Sequence, residues 1–161
     1  MKPASGRVLV VDDNEVNRDL LTSWVQRMGH RVSLAADGRQ AIALMQREPF
    51  DLVLLDIMMP VTNGYEVLEY LKVEPTLCHI PVIVVSALDD IESVVKCIEL
   101  GAEDYLTKPF NKVLLKARIN NCLEKKRLRE QDRFFLKQLQ AEQERSEHLL
   151  LISYHNLLSN F

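Results

Sequence analysis

Four hydrophobic runs in this chain each end on a residue able to do polar chemistry. Val10-Val11 leads to Asp12-Asp13, Leu54-Leu55 to Asp56, Val84-Val85 to Ser86, and Leu106-Thr107 to Lys108-Pro109. If these runs are strands of one parallel α/β sheet, they end on a common edge, and side chains far apart in sequence meet in one cleft. Three carboxylates, a hydroxyl and an amine then share a pocket. Carboxylates so crowded repel one another unless a cation sits among them. Hard oxygen donors favour Mg²⁺ (or Mn²⁺), and Mg²⁺ keeps several waters and readily takes phosphate oxygens. The chemistry expected of this set is metal-dependent acceptance of a phosphoryl group by an aspartate nucleophile.

The segments between these residues have the periods needed to place them. Arg7–Val11 and Arg31–Ala35 read as strands. Between them, Asn14–Met28 carries Val16, Leu20, Leu21, Trp24, Val25 and Met28 at helical spacing, opened by Asn14 as a cap and stopped by Gly29. Asp37-Gly38 is a turn, and Gln40–Arg47 is a helix ended by Glu48-Pro49. Asp51–Asp56 is apolar between its ends, the pattern of a strand covered on both faces. Met59-Pro60 and Asn63-Gly64 mark a loop before a helix over Tyr65–Val73 with Val67, Leu68 and Leu71 inward. Pro81–Val85 is a second buried strand, Asp90–Leu100 a helix closed by Gly101, Asp104–Leu106 a last short strand, and Phe110 onward is helical. Strict alternation of five strands and five helices predicts an α/β fold, a parallel sheet with helices on both faces and right-handed crossovers.

The last helix runs past the point where such a domain ends. Leu123 to His148 contains neither Gly nor Pro, and its charges are mixed in sign. It reads as a solvated helix and not as a basic patch. A heptad-like row of Leu114, Asn121, Leu128, Phe135, Glu142 and Leu149, with Leu139 beside it, is interrupted by polar residues and gives a weak coiled-coil signal. The expected division is a globular domain over residues 1–123 and a helical extension over 124–161 that pairs with a second copy or links to another domain.

The bulk properties exclude several classes. The 161 residues, 47% hydrophobic, suffice for one domain with a real core. A formal charge of −3 gives no general affinity for nucleic acid. No apolar run approaches the roughly 18 residues of a membrane span, and the N-terminus lacks a signal peptide's apolar stretch. Cys78, Cys97 and Cys122 form no metal or redox pair, and are expected to be reduced, buried or half-buried thiols in a cytoplasmic protein. His30, His79 and His148 show no ligand spacing and read as surface residues.

The ordered set Asp12-Asp13, Leu54-Leu55-Asp56-Ile57-Met58-Met59-Pro60 with Gly64, Ser86-Ala87, and Gly101-Ala102 ahead of Asp104-Tyr105-Leu106-Thr107-Lys108-Pro109-Phe110 resembles the receiver domain of response regulators of two-component systems, over residues 7 to about 123. The resemblance implies a five-stranded sheet of order 2-1-3-4-5. It implies Asp56 as the phosphoacceptor, and Asp12 and Asp13 with Asp56 and the backbone carbonyl of Met58 as metal ligands. Lys108 would stabilise the phosphoryl oxygens, Ser86 would be the switch hydroxyl and Tyr105 the switch aromatic, and the Lys108–Pro109 bond would be cis. The implied partners are a histidine kinase or phosphotransfer protein as donor and an output domain or partner protein as receiver of the signal. The family tunes acyl-phosphate lifetime two residues after the phosphoacceptor and two after the switch hydroxyl. Here these are Met58 and Leu88, which are apolar, so slow self-hydrolysis is expected.

Rival readings differ at particular residues. A phosphatase with an Asp nucleophile of the haloacid-dehalogenase-like kind carries Asp-x-Asp, whereas Asp56 is followed by Ile57-Met58. No Gly-rich phosphate loop supports a nucleotide site. The segment Glu144–Leu151 is similar to segments just ahead of class III nucleotide cyclase domains, and Tyr154-His155-Asn156-Leu157 resembles the phosphoryl-histidine box of sensor kinases without its Glu-Leu-Arg-Thr-Pro pattern. The alternative to a free-standing regulator is therefore the regulatory part of a larger enzyme, a nucleotide cyclase or hybrid kinase.

Overall fold

The computed structural model describes residues 5–161. In chain order the elements are β1 (Arg7–Val11), α1 (Glu15–Arg27), β2 (Arg31–Ala35), α2 (Gly38–Arg47), β3 (Leu52–Leu55), α3 (Gly64–Val73), β4 (Val82–Ser86), α4 (Ile91–Glu99), β5 (Asp104–Thr107) and α5 (Lys112–Ser159). The strands form one parallel sheet in the order β2-β1-β3-β4-β5. This is the doubly wound arrangement expected from the alternation and from the resemblance.

Alternation of side chains across the pleat divides the core in two. On one face Leu9, Val11, Val53, Leu55, Val82 and Val84 pack with Ala41 and Met45 of α2, Val67, Leu68 and Leu71 of α3, and Cys97 of α4. On the other, Val8, Val10, Leu52, Leu54, Ile83 and Val85 pack with Leu21 and Val25 of α1 and with Leu115, Ile119 and Cys122 of α5. Every residue of β3 and β4 is buried, as central strands covered on both faces must be.

Helix ends follow local chemistry. Asn14, Asp37, Asn63 and Asp90 each accept a backbone N–H with their side chains at the N-termini of α1 to α4. Gly29 and Gly101, at φ 96° and 105°, take the left-handed turns that follow α1 and α4, where a side chain would be strained.

Two sequence expectations need correction. His30 is buried and not a surface residue. Its Nδ1 accepts the Gly6 N–H at 3.0 Å, while its Nε2 is buried without a hydrogen-bond partner. His30 lies in the turn between Gly29 and β2, where the backbone of Gly6 meets it and closes it off from solvent. Cys78 is exposed, because it lies in the turn after α3 beyond the edge of the core, whereas Cys97 and Cys122 are buried. The apolar row of α1 is also only partly used: Leu21 and Val25 are buried, while Val16 and Leu20 face solvent.

Contacts divide the chain into a unit ending at Lys126 and a second unit, Arg127–Phe161. The second is helical to Ser159, with every side chain exposed. Between Leu128 and Phe161, its exposed large apolar residues fall in two groups, Phe134, Phe135, Leu136 and Leu139, then Leu149 to Ile152 with Tyr154, Leu157 and Leu158, separated by a polar stretch over 140–148. Among the described residues no helix is long and apolar enough to cross a membrane.

Candidate functional site

Sheet order places the chemistry. β1 and β3 are neighbours, with Val11 opposite Leu55, so Asp12 and Asp56 leave the sheet side by side. β4 and β5 are neighbours, with Ser86 opposite Thr107, and the Lys108 N–H donates to the Ser86 carbonyl at 2.9 Å. All four sequence-derived positions therefore reach the same edge of the sheet.

Asp12 and Asp56 are buried and Asp13 is exposed, as expected where two adjacent residues leave a strand on different sides. One carboxylate oxygen from each of the three lies within 4.8 Å of the others. The Lys108 ammonium donates to Asp12 Oδ2 at 3.0 Å and to Asp56 Oδ2 at 3.1 Å. The remaining oxygens accept backbone N–H groups: Asp12 Oδ1 from Asn14 at 2.9 Å and Asp56 Oδ1 from Met58 at 3.2 Å. The peptide bond joining Lys108 to Pro109 is cis.

One ammonium shared between two buried carboxylates does not neutralise them. Burial holds the Asp56 carboxyl above the usual carboxylate range, and the charge of Asp12 adds to this, against the opposing pull of Lys108 and the Met58 N–H. Burial pushes the Lys108 ammonium down, but its hydrogen bonds to Asp12 and Asp56 and their charges outweigh it, so its pKa is raised overall. Asp56 is thus raised first by burial and then by its neighbour's charge, and Lys108 by the two carboxylates it bonds. The donors are hard oxygens, and three carboxylates face a single lysine. That donor set fits a small divalent cation of the Mg²⁺ kind.

Ser86 is buried, and its Oγ accepts the Leu88 N–H at 3.3 Å. The half-buried Tyr105 donates its hydroxyl to the Leu88 carbonyl. Hydroxyl and aromatic thus hold opposite sides of one residue in the loop between β4 and α4. The Met58 side chain is exposed, leaving its backbone to face the site. Gly64 has a positional reason: a Cβ there would lie 2.5 Å from the Asp56 carbonyl oxygen and 2.6 Å from Ile57 Cα, so only glycine lets α3 start against the strand end that carries Asp56.

Sequence reasoning missed Arg18, which donates from its guanidinium to the Asp12 carbonyl at 2.9 Å. The available signal was a cation in the opening turns of α1, the end of a helix that disfavours positive charge. It also missed the loop residue Val61, whose φ is 68°.

The family model described as response regulator receiver domain matches residues 8–120. The response regulator PleD of Caulobacter vibrioides is 44% identical over 117 residues, which cover 73% of this chain and 26% of PleD. A probable cyclic di-GMP phosphodiesterase of Vibrio cholerae is 38% identical over 120 residues, covering 74% of this chain and 27% of that protein. The chain thus spans about a quarter of the length of these two relatives. A CheY-like response regulator receiver domain protein from Methanospirillum hungatei superposes with a TM-score of 0.72 at 29% identity, over 78% of this chain and 99% of that one. The carboxylate cluster, the lysine across it and the sheet order that assembles them all fall inside the matched region, and the chain belongs to the response-regulator receiver domain family.

Proposed function

We propose that this protein is a phosphorylation-dependent signalling switch in which Asp56 accepts a phosphoryl group from a histidine kinase or phosphotransfer protein. The observation that carries this reading is the Lys108 ammonium lying between Asp12 and Asp56, at 3.0 and 3.1 Å, beside a third carboxylate. Asp12, Asp13, Asp56 and the backbone carbonyl of Met58 would hold Mg²⁺ (or Mn²⁺). When bound, the ion neutralises the carboxylates and withdraws charge from the transferring phosphoryl oxygens.

The chain's own residues do the rest. Asp56 supplies the nucleophilic oxygen, and the phosphorus–donor bond breaks as the aspartyl phosphate forms. Lys108 stands where negative charge grows. Ser86 turns from the Leu88 N–H to donate to a phosphoryl oxygen, and Tyr105 follows the loop it holds. The modified residue carries nearly two negative charges and biases an existing two-state equilibrium, which an output partner reads by binding the states differently. Met58 and Leu88 bring no polar side-chain atom to orient a water, so the acyl phosphate is long-lived. A half-life of seconds by phosphate release would contradict that. True turnover of phosphomonoesters is not expected, since no acid/base group follows Asp56.

The test is acetyl phosphate with Mg²⁺, read by intact mass. Wild type gains one phosphoryl group. Asp56→Asn should lose at least about a hundredfold in labelling rate, as a missing nucleophile does. Equal labelling of the variant would refute the assignment.

The output lies outside the receiver, in a further domain or a separate partner. Relatives that share this domain, the response regulator PleD and a probable cyclic di-GMP phosphodiesterase, are longer and differently named, which supports that placement. The receiver is proposed to occupy residues 1–123. Residues 124–161 form a linker or homodimerisation helix whose exposed apolar groups pair with a second copy. Sedimentation of the full chain against one ending at 126 tests this: a truncated chain with the same number of copies per particle would refute it. No direct nucleic-acid or membrane contact is proposed, and the setting is cytoplasmic.

A further inference from the structure

α4 has the weakest apolar grip of the helices around the sheet. Cys97 is its one buried residue, while Ile91, Val95 and Ile98 are exposed. α3 beside it buries Gly64, Val67, Leu68 and Leu71. Polar ties complete the attachment of α4. Lys72 Nζ donates to the Glu99 carbonyl at 3.0 Å, and Lys96 Nζ lies 3.9 Å from the centroid of the Tyr65 ring. Segments held by few apolar contacts shift or open at low free energy, so ties of this size decide where they rest.

The two ends of the Lys96–Tyr65 contact are anchored differently. Tyr65 follows Gly64, whose backbone is pressed against Asp56 and Ile57 and whose N–H donates to the Ile57 carbonyl at 3.0 Å. Its half-buried ring also packs against the core that α3 covers. Lys96 sits on α4, which begins at Ile91 with Asp90 as its cap, directly after the loop containing Leu88. That loop is held by Ser86 Oγ and by the Tyr105 hydroxyl. When Ser86 leaves the Leu88 N–H for a ligand on Asp56, the loop moves and α4 moves with it. Tyr65 does not, so the ammonium is drawn off the ring.

We infer that Lys96 and Tyr65 form a clasp that holds α4 in its resting position and thereby sets the switching equilibrium of the Asp56 site. Both act as positioning residues, and the inference rests on the phosphoacceptor reading above. An exposed lysine over the face of a half-buried aromatic ring favours the clasped state by a factor of about two to five. Releasing it raises the binding-competent fraction, and hence the apparent affinity for a phosphoryl mimic, by the same factor.

The probe is beryllofluoride with Mg²⁺, titrated calorimetrically into the full chain. Lys96→Met keeps the stem and removes the charge, and Tyr65→Leu keeps apolar bulk and removes the ring. Each should tighten beryllofluoride binding about two- to fivefold, and the double variant no more than either single. Hydrogen exchange across residues 91–99 should quicken in all three without ligand. Unchanged affinity, with only a lower urea midpoint, would make the contact merely structural and overturn the inference, as would fully additive effects. If wild type itself fails to bind beryllofluoride, the phosphoacceptor reading falls and takes the clasp with it.

Discussion

Asp51 and Asp56 stand at the two ends of β3, and each has a lysine ammonium at almost the same distance. Lys126 is 3.0 Å from Asp51 and Lys108 is 3.1 Å from Asp56. Their carboxyls are nonetheless displaced in opposite directions. At Asp51 burial pulls upward, but the Arg7 N–H at 2.8 Å, the Lys126 hydrogen bond and the charges of Lys126 and Arg7 outweigh it, and the pKa is lowered. At Asp56 burial dominates, its lysine is shared, and the second carboxylate adds repulsion, so the pKa is raised. A lysine contact alone does not decide which way an aspartate's pKa moves. Exposure and the count of competing carboxylates do. The lower end of the strand is tied by its cations, and the upper end keeps an excess of negative charge of the kind a divalent cation would relieve.

The largest expected effect separates the two ends by metal. At Mg²⁺ about a hundredfold above its Kd, wild type should gain about 2.7 kcal/mol against urea over the same protein in EDTA. Asp12→Asn should lose most of that gain and Asp51→Asn none of it. An equal loss in both would show that the cation does not read the upper carboxylates.

Removing the rivet comes next. Asp51→Ala leaves the Arg7 N–H and the Lys126 ammonium without their carboxylate, and should cost about 1–2 kcal/mol, moderated by its partial exposure. The pH dependences have opposite signs. Asp51 has a folded pKa below 3.8, so its stabilisation is present above that value and is lost as pH falls through the folded pKa. Asp56 has a folded pKa above 3.8, so its unfavourable contribution is complete above the folded pKa and fades as pH falls toward 3.8. Metal-free Asp56→Asn should therefore be more stable than wild type at neutral pH. A lower urea midpoint for it would contradict the electrostatic account.

How much of this contrast shows in the sequence depends on the kind of interaction. The strands were legible because β3 and β4 are apolar without interruption, and the upper site because its residues close those runs. The lower rivet was not legible. Asp51 meets Lys126 across most of the domain, and a pairing of two charged residues leaves no period in either segment. The burial of His30 is hidden in the sequence for the same reason: nothing local announces that the Gly6 N–H needs its Nδ1. The contact of Lys96 with Tyr65 was hidden likewise, since neither residue type is unusual where it stands.

His30 gives the lower end its own acid sensitivity. Burial holds its imidazole below the ordinary value of 6.5, with the Asp51 charge opposing, and protonation of Nδ1 would break its bond from Gly6. The unfolded chain then takes a proton that the folded chain refuses. Stability should fall as pH drops below 6.5, with a slope of at most about 1.36 kcal/mol per pH unit. Asn at position 30 can still accept the Gly6 N–H but cannot protonate, so His30→Asn should flatten that part of the profile. An unchanged slope in urea titrations would assign the acid response elsewhere.

The smallest effect concerns backbone strain, which the two ends also distribute unequally. At the lower end, the positive φ values after α1 and α4 fall on glycines, Gly29 and Gly101, and are nearly free of strain. At the upper end the loop after Asp56 puts a β-branched residue, Val61, at φ 68°. That conformation costs a non-glycine residue roughly 1–2 kcal/mol. Val61→Gly removes the strain but adds freedom to the unfolded chain, which offsets about 0.4–1 kcal/mol of the relief. The net expectation is a gain of about 0.5–1 kcal/mol in urea. Since Val61 is largely exposed, no packing is lost with its side chain. Strain retained beside the proposed phosphoacceptor fits pre-organisation of the segment from Asp56 through Met58 to Gly64. The same variant should therefore bind Mg²⁺ more weakly even as it becomes more stable. Gains in both stability and metal affinity would show that the strain serves nothing at the upper end, and would remove backbone conformation from the difference between the two ends.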